Sequence, residues 1–402
     1  MTIDHHATGH APATGNSVVL RGVRLGQAEA DAGCVDIDVR DGIIHAITPA
    51  QDVSGANGGA APGIDGRGLL AFPGFVNAHA HSSESFEQGA YEGDPLEVWL
   101  AMCYPPLLDE ALPPRWHYLR AMLLAMQSLH SGVTALHDDF LNPAGDPRAL
   151  EQVLDAYRDA GIRARVAVTL SDRGYLDGLP LAEAHWPPSL RDALAARRPR
   201  DIASQAAWVG EAMAHAAARG EPRLQLSLGP RGPQRCSPAL LRAVAQLAER
   251  HDVPVQMHVL ESRVQALTAQ RQYGTTFIQV LDAAGLLNQR IALNHAVWLT
   301  AQDVALIARR RARVVHNPLS NFKLASGLCA VRQLRAAGVD VALGTDGAAT
   351  GDSVDFFDTL RFAALVHKLD THDAHDTPPA PTAADIVDMA TRAGAASMGD
   401  AG

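Results

Sequence analysis

The sequence lacks several features that define large classes of protein. It has no apolar run of the roughly 18–20 residues that a helix needs to cross a bilayer. Its first residues carry neither a basic start nor an apolar stretch, so they do not match a secretory signal. Its four cysteines lie far apart without a CxxC pair, which excludes a disulfide framework and a thiolate zinc site. A reducing compartment, the cytoplasm, is therefore expected.

Positive charge is also scarce. The 34 Lys and Arg residues against 44 Asp and Glu residues give a formal net charge of −10 at pH 7. Surfaces that bind nucleic acid or an anionic membrane need a concentrated basic face, so neither is expected as a partner. What the 402 residues do have is apolar content, with 47% hydrophobic and 19% charged residues. That composition allows a large core and excludes global disorder.

The chain divides into three segments by its local pattern. Residues 1–16 are small and polar, and they predict a disordered leader. Residues 17–70 hold short alternating runs with an Asp41–Gly42 turn between two of them, which predicts a small β layer. From residue 71 to 402, apolar strand-like runs alternate with amphipathic helical runs, several of which stop at glycine.

The third segment predicts an α/β fold. Strands that are apolar on both faces and alternate with helices form a parallel sheet covered by helices. Eight such units over about 300 residues match a (β/α)8 TIM barrel. An open, doubly wound sheet is the alternative, which the lack of a GxGxxG turn after the first strand disfavours. Long loops are expected around 82–113 and 171–200, on the side where barrels bind substrates.

Polar side chains end several of the predicted strands. His79 and His81 end the first strand, and their spacing of two places both imidazoles on one face. His258 ends strand five, His295 lies late in strand six and Asp346 ends strand eight. Active sites of barrels lie at the carboxyl ends of the strands. Imidazoles with one carboxylate suit Zn²⁺, with Fe²⁺ as the alternative, so these residues predict a catalytic metal site.

A further carboxylate follows the fifth strand. Glu261 lies three residues after His258, at the exit from the strand into the loop. Facing the cavity, it would carry protons, which is a task distinct from holding a metal. A solvent-exposed loop acid is the alternative interpretation of the same residue.

Five motifs resemble the amidohydrolase superfamily: PGFVNAHAH, MHVLES, NHAVWL, HNPLSNFKLASG and ALGTDGAAT. They fall in the order of that family, and the resemblance extends from about residue 17 to 400. The motifs are most similar to the branch of aminohydrolases and chlorohydrolases that act on nitrogen heterocycles. This branch includes S-adenosylhomocysteine, guanine and cytosine deaminases and triazine hydrolases.

The resemblance implies a role for each residue at the strand ends. The metal ligands that it implies are His79, His81, His258 and Asp346. It also implies that His295 orients or deprotonates the attacking water and that Glu261 passes a proton to the ring nitrogen. Two-metal members bridge their ions with a carboxylated lysine near the end of strand four, where this chain reads LSLGPRGPQ without lysine. One divalent metal is therefore expected, and a homodimer is expected because look-alikes commonly form one.

The sequence departs from the family pattern in the loop after strand four. Purine-nucleoside deaminases of this branch carry a histidine there, whereas this chain has Arg231 and Gln234. That favours a heterocycle with a carbonyl or acidic group that arginine can hold, although a loop salt bridge would equally explain Arg231. His316 is expected to contact substrate or to make a loop hydrogen bond. Trp99 is expected to form an apolar wall for a flat ring or to pack internally.

A second departure concerns the β layer. The resemblance implies that residues 17–70 form the N-terminal half of a composite β-sandwich. The family normally continues after a helix such as ADIVDMATRAGAASMG with strands that complete this sandwich. The C-terminal half is therefore expected to be missing here.

The sequence predicts a metal-dependent hydrolase that acts on C–N bonds other than peptide bonds. The hypothesis is hydrolytic deamination of an amino-substituted nitrogen heterocycle with release of ammonia. Water activated by the metal would lose a proton to Asp346 or His295 and attack the ring carbon, while Glu261 protonates the adjacent ring nitrogen. One alternative is displacement of chloride or hydrolysis of a cyclic amide by the same water. Another is a catalytically inactive barrel that serves as a scaffold.

Overall fold

A computed structural model describes residues 17–26, 33–50, 63–105, 107, 112–142, 144–180, 187–197, 199–369 and 378–399. The leader predicted at residues 1–16 lies outside the described residues. The internal contacts divide the chain into two compact units, with the boundary between Pro73 and Gly74. Each unit is described by itself below.

The first unit is a five-stranded sheet. Its strands are β1 (Ser17–Leu25), β2 (Val35–Arg40), β3 (Ile43–Pro49), β4 (Gly63–Asp65) and β5 (Leu70–Ala71). Antiparallel pairing joins β1 to β2 and β2 to β3, while β4 and β5 pair parallel with β1. Asp41 and Gly42 have φ values of 50° and 79°, as a two-residue hairpin turn requires. The hairpin therefore lies where the Asp–Gly pair predicted it.

The second unit contains a parallel sheet of nine strands among the described residues. They are β6 (Phe75–His81), β7 (Val133–Asp138), β8 (Arg163–Leu170), β9 (Leu224–Pro230), β10 (Val255–Val259), β11 (Ile291–His295), β12 (Arg313–His316), β13 (Val341–Leu343) and β14 (Asp346–Gly347). Their spatial order is β13-β12-β11-β10-β9-β8-β7-β6-β14. Only Gly344 and Thr345 separate β13 from β14 in the chain. The sheet therefore curls until its two ends come together, which is consistent with the predicted barrel.

Helices connect the strands. They are α1 (Leu96–Cys103), α2 (Pro114–His130), α3 (Pro147–Ala160), α4 (Pro188–Ala196), α5 (Ile202–Arg219), α6 (Pro238–His251), α7 (Arg263–Tyr273), α8 (Phe277–Ala283), α9 (Ala301–Arg310), α10 (Pro318–Lys323), α11 (Val331–Ala336), α12 (Ala348–Gly351), α13 (Phe356–Val366), α14 (Ala383–Ala390) and α15 (Arg392–Ser397). Several begin at a capping side chain and end at a left-handed glycine, as α3 does at Asp146 and Gly161. Within the described residues, no helix combines the length and the apolar character that crossing a membrane requires.

Apolar and polar side chains alternate along the strands. The apolar ones face the helices, and the polar ones face the inside of the curled sheet. On β10, Val255, Met257 and Val259 are fully buried and belong to the main apolar cluster of the unit. Gln256 and His258 alternate with them, and the two point to the opposite face because successive strand residues do so. This alternation places ligand-competent side chains inside the curled sheet while the helices cover its outside.

Two details differ from the sequence-based prediction. The expected single strand at 339–346 is divided into β13 and β14, and Asp346 has a φ of 62°, which interrupts a regular strand. The loop expected around 82–113 contains α1, and the loop around 171–200 contains α4. Both connections are long, as predicted, and the helices within them are details that the sequence had not predicted.

Candidate functional site

The five side chains at the strand ends lie together at the carboxyl edge of the sheet. We call His79, His81, His258, His295 and Asp346 the histidine–aspartate cluster. The Oδ1 atom of Asp346 lies 3.2 Å from His79 Nε2 and 3.1 Å from His81 Nε2. His81 Nε2 and His258 Nε2 are 3.2 Å apart, and His295 Nε2 is 3.8 Å from Asp346 Oδ2. Residues that are far apart in the sequence thus converge on one point.

All four imidazoles of the cluster present Nε2 inward and Nδ1 outward. The outward contacts are His79 Nδ1 to Gln256 Oε1 at 2.9 Å, His81 Nδ1 to the Asp139 carbonyl at 2.9 Å, His295 Nδ1 to Asn321 Oδ1 at 2.8 Å and His258 Nδ1 to Asp139 Oδ2 at 3.5 Å. The oxygen atoms at 2.8–2.9 Å are acceptors for a hydrogen on Nδ1, whereas the Asp139 carboxylate faces His258 Nδ1 at a longer, ion-pair distance. The Nδ2 donor of Asn294 also lies 2.9 Å from His79 Nδ1. A hydrogen there fixes the tautomer and leaves the Nε2 lone pair free to bind a metal.

The inward-facing atoms fit a cation. Within the described residues, no hydrogen bond reaches the buried Nε2 atoms of His79 and His295 or Oδ1 of Asp346. Lone pairs that face each other at about 3 Å repel unless a positive charge lies between them. Two overlapping sets of ligand atoms have all members within 4.8 Å of one another: His79, His258, His295 and Asp346, and His79, His81, Asp139 and His258. Nitrogen and oxygen donors in groups of four suit a divalent metal such as zinc.

Backbone strain is concentrated at the same place. His295, Asp346 and Leu260, the residue before Glu261, have φ values of 69°, 62° and 51°. Residues other than glycine rarely adopt positive φ, at a cost of order 1–3 kcal/mol each. Such strain persists where the surrounding structure requires a particular side-chain direction. Other non-glycine residues with positive φ lie away from the site, for example Asp252 and Arg311 at the C-termini of helices, but His295 and Asp346 belong to the cluster itself.

Burial and charge set the protonation of the cluster. Burial lowers the pKa of His295 to about 4, so its imidazole is neutral at pH 7. Burial by itself raises the pKa of Asp346, but the imidazoles of His79 and His81 hold that pKa well below its usual range. Asp346 Oδ2 also accepts a hydrogen bond of 2.6 Å from Ser320 Oγ. A neutral imidazole and an ionised carboxylate are the forms that bind a metal.

Glu261 lies beside the cluster and is buried. It is 2% exposed, so it is not the solvent-exposed loop acid of the alternative interpretation. Its Oε2 atom is 3.7 Å from His295 Nε2, and within the described chain Oε1 has no hydrogen-bond partner. Burial, reinforced by the negative charge of Asp346, raises the pKa of Glu261 well above its usual range. Burial therefore favours the protonated form of Glu261, and Oε1 is not engaged by any other group among the described residues.

Arg231 and Gln234, the two candidate substrate contacts after strand four, lie in different surroundings. The Arg231 guanidinium makes no ion pair or hydrogen bond with any part of the chain that the structure describes, so the loop salt bridge is absent there. Burial lowers the pKa of Arg231, and the neighbouring Tyr104 and Asp139 partly oppose this shift. Gln234 lies in a 3₁₀ turn at Pro233–Arg235, with its Cγ close to Gly178. Its buried Oε1 also has no partner among the described residues.

His316 and Trp99 are both buried, and each contacts neighbouring aromatic side chains. His316 is fully buried, and its Nε2 lies 3.1 Å from Nε2 of His367. Trp99 is 3% exposed and packs edge-on against Tyr91 and Tyr104, with ring centroids 6.4 Å and 6.0 Å away. Internal packing, one of the two expectations for Trp99, is therefore present.

Sequence reasoning missed Glu84, a second buried carboxylate near the cluster. It is 2% exposed, and burial raises its pKa to about 7. Tyr104 O–H donates a hydrogen bond of 2.7 Å to Oε1, while Oε2 lacks a partner in the described structure. A Cβ on Gly347 would lie 1.6 Å from this oxygen, so any larger residue there would displace the Glu84 carboxylate. A signal was available, because Glu84 follows His81 by three residues just as Glu261 follows His258.

Comparison with known proteins gives two kinds of match. Residues 70–402 match the model of the amidohydrolase family. A 5'-deoxyadenosine deaminase of Methanothermobacter thermautotrophicus is 32% identical over 340 residues, which cover 84% of this chain and 71% of the relative. A 5-methylthioadenosine/S-adenosylhomocysteine deaminase of Pelotomaculum thermopropionicum is 32% identical over 343 residues, covering 85% and 71%.

A solved structure with a similar fold contains zinc. It is an adenosine deaminase from Xanthomonas campestris with bound zinc, 27% identical to this chain with a TM-score of 0.74. The likeness covers 95% of this chain and 80% of that one. The curled parallel sheet and its strand-end cluster thus occur in a fold for which a zinc-bound example is known.

Proposed function

The chain belongs to the amidohydrolase family, and on that basis we propose that it hydrolytically deaminates an amino-substituted nitrogen heterocycle and releases ammonia. The observation that carries this proposal is the histidine–aspartate cluster with the buried carboxyl group of Glu261 beside it, 3.7 Å from His295 Nε2. Deamination of an aromatic ring needs an activated water on one side of the carbon and an acid next to the ring nitrogen. The two relatives that are 32% identical are deaminases of adenosine-type compounds, which supports the same reaction here.

One divalent metal is proposed for the cluster, Zn²⁺ first and Fe²⁺ as the alternative. His79, His81, His258 and Asp346 would hold it, because the family motifs imply these ligands and because Nε2 of His79 and Oδ1 of Asp346 have no hydrogen-bond partner among the described residues. His79 and His258 belong to both sets of clustered ligand atoms, which pair them with His295 and Asp346 in one set and with His81 and Asp139 in the other. A metal there supplies a Lewis acid that makes water a nucleophile at neutral pH. Strand β9 and the turn after it offer no lysine that could bridge a second ion, which supports a single metal.

The proton path is proposed to run through three side chains. Asp346 or His295 accepts the proton of the attacking water, and the two are 3.8 Å apart. Glu261 donates a proton from its carboxyl group to the ring nitrogen next to the attacked carbon. Its Oε2 faces His295 Nε2 at 3.7 Å, so the proton lost to the ring can be replaced from the imidazole. A second transfer to the exocyclic amine expels ammonia and leaves a carbonyl.

The substrate contacts proposed from the sequence are Arg231, Gln234, His316 and Trp99. Arg231 is the best supported of them, because its guanidinium lies near Tyr104 and Asp139 without an ion-pair partner in the described residues. It suits a carbonyl or acidic group on the ring. Glu84 is added to this set, since its free Oε2 can accept a hydrogen bond from a ring N–H.

Replacing Glu84 by Gln is expected to raise KM about tenfold or more and to leave the metal content unchanged. A hydrogen bond to a charged acceptor contributes about 1.5–3 kcal/mol, and the amide offers a neutral acceptor of the same shape. Steady-state kinetics on the best substrate measure this change. Glu87→Gln is the matched control, because Glu87 already accepts a hydrogen bond from Arg120. Equal KM values for both variants would remove Glu84 from substrate binding.

Two structural features are proposed on the same basis. We take the sheet of residues 71–402 to be a closed (β/α)8 barrel, since β13 and β14 at its two ends are two residues apart in the chain. The strands of residues 17–70 are proposed to be the N-terminal half of a composite sandwich. A cytoplasmic homodimer stays a prediction from the sequence.

The proposed activity is tested with a screen of aminated purines, pyrimidines, pterins and triazines with coupled ammonia detection. We expect the zinc-loaded protein to release ammonia and the matching oxo compound in equal amounts from at least one of them. Chloride release from a chlorinated triazine, without ammonia from any amine, would favour dechlorination instead. A protein that binds zinc and converts no member of the panel would favour the scaffold alternative.

A further inference from the structure

We propose that Asp139 is a positioning residue that fixes two histidines of the proposed metal centre at once, with two different groups. Its backbone carbonyl accepts a hydrogen bond of 2.9 Å from His81 Nδ1–H. Its carboxylate Oδ2 lies 3.5 Å from His258 Nδ1. The inference rests on the proposed metal centre, and it adds a residue that neither the motifs nor the sequence argument had given a role.

The backbone of Asp139 is held rigidly enough to act in this way. Its N–H donates a hydrogen bond of 2.8 Å to the carbonyl of Ala80, the residue between His79 and His81. The preceding Asp138 accepts hydrogen bonds from Ser82 N–H at 2.9 Å and from Ser82 Oγ at 2.6 Å. Residues at the end of β7 therefore form hydrogen bonds with the residues before and after His81 at the end of β6. These bonds fix the direction of the Asp139 carbonyl.

The carboxylate of Asp139, which follows β7, is directed by β9, two strands away in the sheet. Asp139 is 7% exposed, and a Cβ on Gly229 of β9 would lie 2.8 Å from its Oδ1. Glycine at position 229 therefore leaves the room that this carboxylate occupies. One oxygen lies against Gly229, and the other faces His258. A larger residue at 229 would push the carboxylate out of this place.

The geometry of the two imidazoles explains what the contacts achieve. The rings of His81 and His258 are nearly parallel, at 9° with centroids 5.2 Å apart, and their Nε2 atoms are 3.2 Å apart. Both Nδ1 atoms face Asp139, so both Nε2 lone pairs point to the same place. An acceptor on the outer nitrogen fixes the tautomer, and a carboxylate also raises the basicity of the inner nitrogen. Asp139 would thus preorganise two ligands from strands that are not neighbours in the sheet.

The competing interpretation is that Asp139 binds the metal itself. One of its oxygens lies within 4.8 Å of ligand atoms of His79, His81 and His258. Against this, Oδ2 lies on the Nδ1 side of His258, away from the Nε2 atom that faces His81. The two interpretations predict different spectra, because removal of a ligand changes the coordination of the ion and removal of a positioning group does not.

The test compares zinc affinity and cobalt spectra of the full-length protein with those of Asp139→Asn and Asp139→Ala. Chelator competition is expected to give a zinc Kd about tenfold weaker for Asn, which keeps a neutral acceptor, and up to about 100-fold weaker for Ala. The Co²⁺-substituted variants are expected to keep the band positions and intensities of the wild type. Asp303→Asn is the control, since Asp303 is an equally buried aspartate that caps α9.

Three results would overturn the proposal. Unchanged zinc affinity in both variants would deny Asp139 a role, and a changed cobalt spectrum would make it a ligand. The same loss of affinity in Asp303→Asn would attribute the effect to general destabilisation, which thermal unfolding of the metal-free variants checks separately. If the wild-type protein itself binds no zinc, the proposed metal centre fails, which is a different result from failure of the Asp139 assignment.

Discussion

Replacing Glu261 by Gln is expected to lower kcat by about 10²–10⁴-fold while the metal content stays near that of the wild type. The substitution keeps the shape of the side chain and removes only its ability to donate an acidic proton. Glu261 is buried, its pKa is raised and its Oε1 has no partner in the described residues, so its carboxyl group is available to donate that proton. The measurement is steady-state turnover together with metal analysis of the same preparation.

A neighbouring carboxylate provides the control for this experiment. Glu97 accepts a hydrogen bond from Ser262, the residue after Glu261, and its charge contributes to the raised pKa of Glu261, but no hydrogen bond or ion pair joins its side chain to the histidine–aspartate cluster among the described residues. Glu97→Gln is expected to change kcat only a few-fold. Turnover of Glu261→Gln equal to that of the wild type would remove Glu261 from the mechanism. Loss of metal in the variant would instead assign it a structural task in the cluster.

Removal of the metal with a chelator is expected to abolish activity and to lower Tm, and addition of zinc is expected to restore both. The metal-free cluster leaves the Nε2 atoms of His79 and His295 and one oxygen of Asp346 buried without hydrogen bonds in the described structure. A ligand at 1,000 times its Kd stabilises the folded state by about 4 kcal/mol, provided that it binds only that state. Thermal unfolding at increasing zinc concentration measures the effect.

A variant without the Asp346 carboxylate distinguishes stabilisation by zinc bound at the cluster from a general effect of zinc on Tm. Asp346→Asn removes the negative charge that lies 3.1–3.2 Å from His79 and His81. Its Tm is expected to respond weakly to zinc, whereas the wild type responds strongly. A chelated wild-type protein that keeps its activity, or a Tm that zinc raises equally in both proteins, would contradict a metal-dependent mechanism.

The strand ends were predictable because polar residues interrupt apolar strands there. His79 and His258 directly follow the buried apolar residues Ala78 and Met257, and His295 ends a strand that begins with buried apolar residues. The carboxyl ends of parallel strands meet at one edge. Their convergence therefore follows from the alternation of strands and helices. The burial of Glu261 was left open by the sequence, since a residue just past a strand can turn either way.

The partners that orient these residues could not be predicted in the same way. Asp139 contacts His258 across 119 positions of sequence, and Gln256 contacts His79 across 177. Nothing in the local pattern distinguishes such residues from ordinary interior polar groups, because their role depends on which strands face each other inside the curled sheet. The break between β13 and β14 is similar, since the positive φ of Asp346 is imposed by the site and not by local propensity.

The helices inside the long connections were missed for a different reason. The segment that forms α1 has the turn residues of a loop before it and no regular polar face, so its sequence did not predict a helix. Tertiary packing provides the stabilisation, because Trp99 and Leu96 are buried against Leu324 and Ala349. Substrate contacts that depend on these connections were accordingly the least predictable part of the site.

The central claim is that three imidazoles and one carboxylate hold a single metal ion at the carboxyl edge of the sheet. Anomalous diffraction at the zinc absorption edge, from crystals of the zinc-loaded protein, tests it most directly. We expect one strong peak, bounded by Nε2 of His79, His81 and His258 and by the carboxylate of Asp346. Two peaks of equal strength would contradict a single-metal centre, and no peak among these side chains would contradict the metal centre altogether.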